Sequence, residues 1–295
     1  MLKRMEIFLI TVMFVLITAI ILITYTMQRA QEFRSHQNTI QQSSVHGASY
    51  AINRQLLNKH RHVRLFLDEY AQLFSRLSFF PMDEKTSGDI KRRLQQRFPD
   101  FFTYTISNAQ GIPILLDMDS LVGEACQNDL KQFSNSVKMN SPSLPNKVFI
   151  HPQPFNYHFD IMAPLKTKAG NLNLFFASFY VKEITDILKT HEIPGQKLML
   201  VKQSDPSLIE VTKQGTRDKL SREINLSTEE QRRIRVYENI PNTNWRLVAL
   251  ADAKFEKKYL YGLWKEAFII IAIVSLALLL LAFVLIKLSK RRMMD

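Results

Sequence analysis

The stretch that decides the fold runs from Phe159 to Leu188 and reads FDIMAPLKTKAGNLNLFFASFYVKEITDIL. It holds most of two apolar runs, YHFDIMAPL and NLNLFFASFYV, which the polar segment 166–170 separates. Short apolar runs bounded by turn residues predict two strands of an antiparallel pair. The residues KEITDILKTH then predict a short helix that ends near Pro194 and Gly195.

The flanking residues extend this unit on its N-terminal side. KVFIHPQPF predicts a further strand, and FFTYTISNAQGIPILLDM alternates with period two around a tight turn at 108–111, which predicts a hairpin. Residues 89–97 and 128–137 predict short helices. Two strands, a helix, three strands and a helix predict one α+β domain over residues 81–194.

A smaller unit is expected over residues 195–252. KLMLVKQ and SLIEVTK predict one hairpin about the turn 204–206, and RIRVYENIP and NWRLVALAD predict a second about 242–244. Between them, LSTEEQRR carries the capping-box pair Ser227 and Glu230, which indicates a short helix.

Two apolar runs, 7–26 and 267–286, contain twenty residues each and no charge. A helix of this length spans about 30 Å, the thickness of the hydrocarbon core of a bilayer. Both are therefore predicted to be transmembrane helices. The first could instead be a cleaved signal peptide, but its length and the lack of a small-x-small site favour a retained anchor.

The flanks of these runs predict their orientation. Lys3 and Arg4 lie in the segment 1–6, and the segment 287–295, KLSKRRMMD, holds four more basic residues. Positive flanks remain in the cytoplasm. Both termini are therefore expected inside a bacterial cytoplasmic membrane, with the central domain periplasmic or extracellular. The net charge of +12 fits a solvated basic surface, lipid headgroups or anionic ligands, and no nucleic-acid partner is expected.

A helical stalk is predicted over residues 27–80. Residues 28–44 are polar, and an apolar stripe with steps near three and four follows, formed by Val45, Ala48, Ile52, Leu56, Val63, Phe66, Tyr70, Phe74 and Leu77. A second helix over 253–266 is expected to run directly into the second span. Because 28–44 has no apolar face for its own domain, it is predicted to lie beside its copy in a homodimer, with the seam beginning at Ile40 and Val45.

This order of elements resembles the extracytoplasmic Cache sensors of bacteria, and the resemblance covers roughly residues 45–252. It rests on the strand, Pro164, Gly170, strand and helix of the opening stretch, and on NTNWRLVALAD with Trp245 early in the last strand. The resemblance implies PAS-like antiparallel sheets, of the double-Cache type or as a single Cache domain with two appended hairpins. The family's signature for amino-acid ligands is not seen, and Tyr180 stands where its Asp would fall.

The tail RRMMD resembles the run-in to the GGDEF domain of membrane diguanylate cyclases, although a histidine kinase or a chemoreceptor output could also follow such a span. The resemblance therefore implies a cytoplasmic output, in cis or in trans, that lies outside the 295 residues of this chain.

Catalytic and metal chemistry are not expected. No Gly-rich phosphate loop, His-x-x-x-His pair or nucleophile elbow occurs. Cys126 is the only cysteine, which excludes an intrachain disulfide and argues against a zinc cluster. Asp117 and Asp119 are read as solvated turn residues. No cofactor, no metal and no catalytic residue is therefore predicted. His151 and His158 are read as ordinary strand histidines, with a pH-sensitive pair as the alternative.

A ligand pocket is expected on the central strands, because PAS-like sheets hold their ligands against one face. Strand alternation places neighbouring residues on opposite faces, so not all candidates can line one pocket. The predicted ligand-binding residues are Tyr104, Phe149, His151, Tyr157, Phe159, Asp160 and Tyr180.

The prediction is therefore a membrane-anchored sensor that binds a small molecule outside and signals to a cytoplasmic output. A membrane-anchored binding or assembly protein without a signalling role is the alternative. A membrane enzyme acting outside is disfavoured by the missing nucleophile, metal and acid–base patterns.

Overall fold

A computed structural model describes residues 4–115, 124–139, 146–152, 157–166 and 172–291. The predicted α+β class is confirmed: the chain has a long N-terminal helix, antiparallel sheets and two apolar terminal helices. Asp117, Asp119 and Gly170 lie outside the described residues.

Chain contacts divide the molecule into two units. The first comprises residues 1–40 and 252–295, and the second comprises 41–251. Helix α1 (Arg4–Glu69) contributes its N-terminal part to the first unit, and helix α7 (Ala253–Arg291) lies wholly within that unit. Each helix is long and apolar enough to cross a membrane. The apolar window of α1 is 0% buried and that of α7 is 6% buried, which is not the burial of a core helix. Phe33 stacks on Tyr259, with ring centroids 3.8 Å apart.

The second unit begins on the C-terminal half of α1, which is followed by α2 (Ala71–Phe79) and α3 (Glu84–Arg97). The predicted stalk is therefore two helices, because the chain turns at Tyr70. Helix α3 begins five residues before the predicted start, since Asp83 is its N-cap and accepts a hydrogen bond from the backbone N–H of Thr86.

The first sheet has the order β1-β4-β3-β2. Its strands are β1 (Phe101–Ser107), β2 (Val148–Pro152), β3 (Tyr157–Lys166) and β4 (Leu172–Tyr180). Helices α1 to α3 contribute to the core on one face, and α4 (Glu124–Lys138) packs on the other. Helix α5 (Lys182–His191) follows β4.

The hairpin predicted after β1 is described only around its turn, because residues 116–118 of its second strand lie outside the described residues. Ser107 bridges Pro113, and the backbone N–H of Ile114 donates to the carbonyl of Ile106 at 2.9 Å. The turn itself is present: Asn108 Oδ1 accepts the backbone N–H groups of Gln110 and Ile112.

The second sheet has the order β7-β6-β5-β9-β8. Its strands are β5 (Gln196–Lys202), β6 (Asp205–Thr212), β7 (Gly215–Thr216), β8 (Ile234–Asn239) and β9 (Trp245–Ala251), with helix α6 (Thr228–Arg232) before β8. The predicted capping box of Ser227 and Glu230 is confirmed. Strand β6 begins at Asp205, within the predicted turn, and β7 was not predicted.

Both sheets share one hydrophobic core with α1. Val45, only 1% exposed, belongs to this core. Its predicted place in a dimer seam is therefore wrong, because the side chain is already packed within its own domain.

A buried polar cluster between the first sheet and helix α4

Strand β3 carries two kinds of side chain on its two faces. Tyr157, Phe159 and Ile161 belong to the core shared with α1, whereas Met162 packs with residues of α4. Alternation places His158 and Asp160 on the Met162 side. The register pairs His151 of β2 with His158, and Ser178 of β4 with Asp160. Three neighbouring strands thus bring polar side chains together on the face covered by α4.

Asp160 is the centre of this group. Its Oδ1 accepts a hydrogen bond of 2.6 Å from Ser178 Oγ. His151 Nε2 lies 2.9 Å from Asp160 Oδ2 and 3.1 Å from Asp129 Oδ2. His158 Nε2 lies 3.6 Å from Asp160 Oδ1. We call these residues, together with the neighbouring thiol, the polar cluster: Cys126, Asp129, His151, His158, Asp160 and Ser178.

The polar cluster is closed to solvent except at Asp129, whose side chain is 23% exposed. His158, Asp160, Ser178 and Cys126 are each 0% exposed, and His151 is 4% exposed. Helix α4 forms the cover, since its Leu130 and Phe133 pack with apolar residues of the sheet: Phe149, Met162, Leu174 and Phe176. Ionisable groups are almost never fully buried unless they are paired. This concentration of them in one place is therefore a candidate functional site.

Electrostatics tie the cluster together. Burial alone would lower the pKa of His151, but its contacts with Asp129 and Asp160 raise that pKa to about 12. Burial raises the pKa of the Cys126 thiol, and a hydrogen bond with His151 opposes the rise. His151 thus lies between the carboxyl groups of Asp129 and Asp160, with the Cys126 thiol beside it.

The seven residues predicted to bind a ligand do not lie in one place. Three of them, Phe149, His151 and Asp160, lie on the α4 face, and two of these belong to the polar cluster. Tyr104, Tyr157 and Phe159 belong to or pack against the core on the opposite face. Tyr180 is 39% exposed at the end of β4.

The opposite face serves mainly to join the two sheets. Tyr157 OH accepts a hydrogen bond of 3.1 Å from Trp245 Nε1, and the Trp245 ring meets Phe159 edge-on at 6.3 Å. Burial and then Glu210 hold the pKa of Tyr157 well above its ordinary value. Tyr104 OH donates to the backbone carbonyl of Ser87 at 3.0 Å. These contacts are those of packed core residues.

An open cleft of about 460 Å³ lies beside Tyr157 and Tyr180. Its remaining lining comes from the start of α5 and from the β6–β7 region: Val181, Lys182, Thr185, Gln214, Gly215, Thr216, Asp218 and Lys219. Two of the predicted residues therefore line a cavity, but one far more open to solvent than the polar cluster.

Sequence reasoning missed Cys126, Asp129 and Ser178. Cys126 and Asp129 are three residues apart on α4 and so share a helix face, a signal that was readable but pointed to no particular strand. Ser178 is two residues from both Phe176 and Tyr180 in β4 and so shares their face of the sheet. That face could be predicted from the sequence, but the contact of Ser178 with Asp160 could not.

Two other buried groups belong to the scaffold. Lys59 Nζ of α1 lies 2.6 Å from Asp100 Oδ1 and 2.7 Å from Glu183 Oε2. His60 is 2% exposed. Burial, and then the charge of Arg64, lower the pKa of His60 to about 4.

No protein-family model matches the chain, and no curated protein matches it. Solved structures give distant similarities. The sensory domain of the Campylobacter jejuni chemoreceptor Tlp3 aligns at 10% identity and a TM-score of 0.48, over 77% of this chain and 98% of that one. The ligand-binding domain of the Pseudomonas fluorescens chemoreceptor CtaA, in complex with L-isoleucine, aligns at 10% identity and a TM-score of 0.47, over 78% and 98%. That of the Pseudomonas aeruginosa amino acid chemoreceptor PctB, in complex with L-Arg, aligns at 10% and 0.41, over 76% and 97%.

Proposed function

We propose that the chain is a membrane-anchored sensor whose α+β domain binds a small ligand outside the cytoplasm and signals across the membrane. One observation carries the proposal: a largely buried polar cluster lies in a domain whose chain leads into an apolar helix at each end. A domain that serves only as a rigid anchor gains no stability from burying such groups, because desolvation offsets their mutual attraction. A ligand site gives a reason for their presence.

We place the ligand at the polar cluster. A ligand there would contact side chains from helix α4 and from the three strands β2, β3 and β4 that it covers. Ligand sites combine a mostly apolar wall with a few convergent polar groups. Phe149, Leu130 and Phe133 supply the wall, and Asp160 and His151 supply the polar groups. The open cleft at Tyr157 and Tyr180 is the alternative position.

The route of the signal follows chain continuity. Helix α1 is unbroken from Arg4 to Glu69, and α7 begins two residues after β9 ends. A ligand can shift such a pair of helices only if it binds one of two arrangements better than the other. We place the output in the cytoplasm and propose that the signal passes through a homodimer. A diguanylate cyclase is the favoured output, since residues 291–295 resemble the segment before such a domain.

Orientation is tested by single-cysteine labelling in a Cys126→Ser background. Ser204→Cys is in an exposed turn of the domain, and Ser289→Cys follows the second apolar run. A membrane-impermeant maleimide should label position 204 in intact spheroplasts and position 289 only after lysis. The reverse pattern would contradict the proposed topology.

The site is tested with a panel of amino acids, carboxylates, amines and metal ions on the full chain in detergent. A ligand that binds only the folded state raises its melting temperature by mass action. At least one compound should stabilise the wild type and the control Asp186→Asn, an exposed carboxylate on α5, but not Asp160→Asn. A compound that stabilises all three proteins equally would place the site elsewhere, and no shift across the panel would favour an assembly role.

A further inference from the structure

The polar cluster brings three side chains of metal-ligand type close together. Cys126, His158 and Asp160 each offer one ligand atom, and these atoms lie within 4.8 Å of one another. All three residues are buried, and they come from α4 and β3, which pack against each other. A thiol, an imidazole and a carboxylate converging on one point in a closed space are the donor types of a metal centre.

The spacing of these atoms is close to what a metal needs. Ligand bonds of about 2.0–2.3 Å around a tetrahedral zinc ion place its donors about 3.4 Å apart. His158 Nε2 and Asp160 Oδ1 are 3.6 Å apart. The three donor atoms lie within 4.8 Å of one another, so the wider pairs must close by about 1 Å to complete a three-donor set.

Charge favours a cation here. Asp129 and Asp160 are two carboxylates, and the ion pairs between described residues give them only histidine partners, with no Lys or Arg. A divalent ion bound to the Cys126 thiolate and the Asp160 carboxylate would neutralise both ligands. The proton released from the thiol would leave to solvent.

The remaining residues fit the supporting layer of a metal centre. Ser178 Oγ donates to Asp160 Oδ1, and His151 Nε2 lies 2.9 Å from Asp160 Oδ2, so the carboxylate that would bind the metal is held from two sides. Asp129 in turn lies 3.1 Å from His151. Metal ligands are oriented in this way by second partners.

We propose that Cys126, His158 and Asp160 bind a divalent transition-metal ion of the Zn²⁺ class, with His151 as the positioning residue of Asp160. Sulfur and imidazole donors favour Zn²⁺ over the oxygen-preferring Mg²⁺ and Ca²⁺. The expectation of no metal rested on the single cysteine; a Cys–His–Asp set needs only one. The inference deepens the proposed function, on which it rests, by naming the class of ligand.

The test uses the full chain in detergent, stripped with a chelator and then titrated with Zn²⁺ and Co²⁺. One equivalent of metal per chain should bind. Tetrahedral Co²⁺ should give visible d–d bands and a near-ultraviolet band from thiolate-to-metal charge transfer. Cys126→Ser should lose the charge-transfer band, while His62→Gln, an exposed histidine of α1, should match the wild type.

Affinity separates the roles of the residues. His151→Gln should weaken Zn²⁺ binding about 10- to 100-fold if it positions Asp160, and Asp160→Asn should weaken it further. Circular dichroism at each step checks that a variant is folded. The Co²⁺ spectrum of the wild type can refute the proposal by itself, so the proposal stays testable even if Asp160→Asn misfolds.

Two results would overturn the metal assignment: absence of the charge-transfer band in the wild type, or Zn²⁺ affinity unchanged in both Cys126→Ser and Asp160→Asn. If an organic compound stabilises the wild type but not Asp160→Asn while neither metal binds, the metal is wrong and the sensory proposal stands. If metal binds as described, the metal assignment stands, whatever the outcome for signalling.

Discussion

His60 makes a prediction about pH that can be worked from its surroundings. The side chain is 2% exposed on the buried side of α1, and the charge of Arg64 acts on it. Burial, then Arg64, lower its pKa from 6.5 to about 4, against a hydrogen bond to the backbone of Asn146. The folded domain therefore keeps His60 neutral at pH values where the unfolded chain protonates it.

The sign follows from proton binding. Between pH 6.5 and about 4 the unfolded state holds more protons at this site, so stability falls as pH falls. The contribution is fully present above pH 6.5. A difference of 2.5 pKa units corresponds to about 3 kcal/mol in total. At pH 5, roughly 2 kcal/mol of it is lost.

The assay is urea unfolding of the full chain in detergent at pH 7.5 and pH 5. Unfolding is followed by the fluorescence of Trp245, which is fully buried in the second sheet. A Trp264→Phe background removes the other tryptophan of the chain. The wild type should lose about 2 kcal/mol more than His60→Gln between the two pH values, and His62→Gln should behave as the wild type. An equal loss in the wild type and in His60→Gln would refute the reasoning.

Two further predictions concern buried polar contacts. Lys59→Met leaves the carboxylate of Asp100 buried without its cation and should destabilise the domain by about 3–5 kcal/mol. The control Lys85→Met, at an exposed position, should change stability little. Thermal unfolding measures both variants, and equal effects would contradict the ion-pair argument. Tyr157→Phe removes the acceptor of the Trp245 indole N–H and should cost about 1–3 kcal/mol in urea unfolding; an unchanged midpoint would show that this bond between the two sheets contributes nothing.

Much of the fold could be predicted because local patterns determined it. Strands β3 and β4, the Ser227 capping box and the two apolar runs follow from periodicity, turn residues and length. The elements that were missed had local signals that a competing rule outweighed. Asp83 caps a helix whose start was predicted five residues too late, and β6 begins within a predicted turn.

The site was less predictable because it depends on which strands are neighbours. The period of β3 separates Tyr157 from Asp160, but only the strand order places Ser178 beside Asp160. The contact of Cys126 with this group depends on how α4 crosses the sheet, which no spacing in the sequence encodes. Single-sequence reasoning therefore found two members of the polar cluster, His151 and Asp160. Of its other candidates, Phe149 lies on the α4 face, three lie on the opposite face and Tyr180 is exposed at the end of β4.

The most direct test of the sensory account joins residues 1–291 to the cytoplasmic half of a characterised membrane diguanylate cyclase, with cyclic di-GMP as the readout in cells. A compound or ion that stabilises the wild-type domain should change the output of the hybrid, and of its Asp186→Asn control, when supplied outside the cell. The Asp160→Asn hybrid should be expressed and show no response. An output that is indifferent to every stabilising ligand, or that responds equally in Asp160→Asn, would contradict the account.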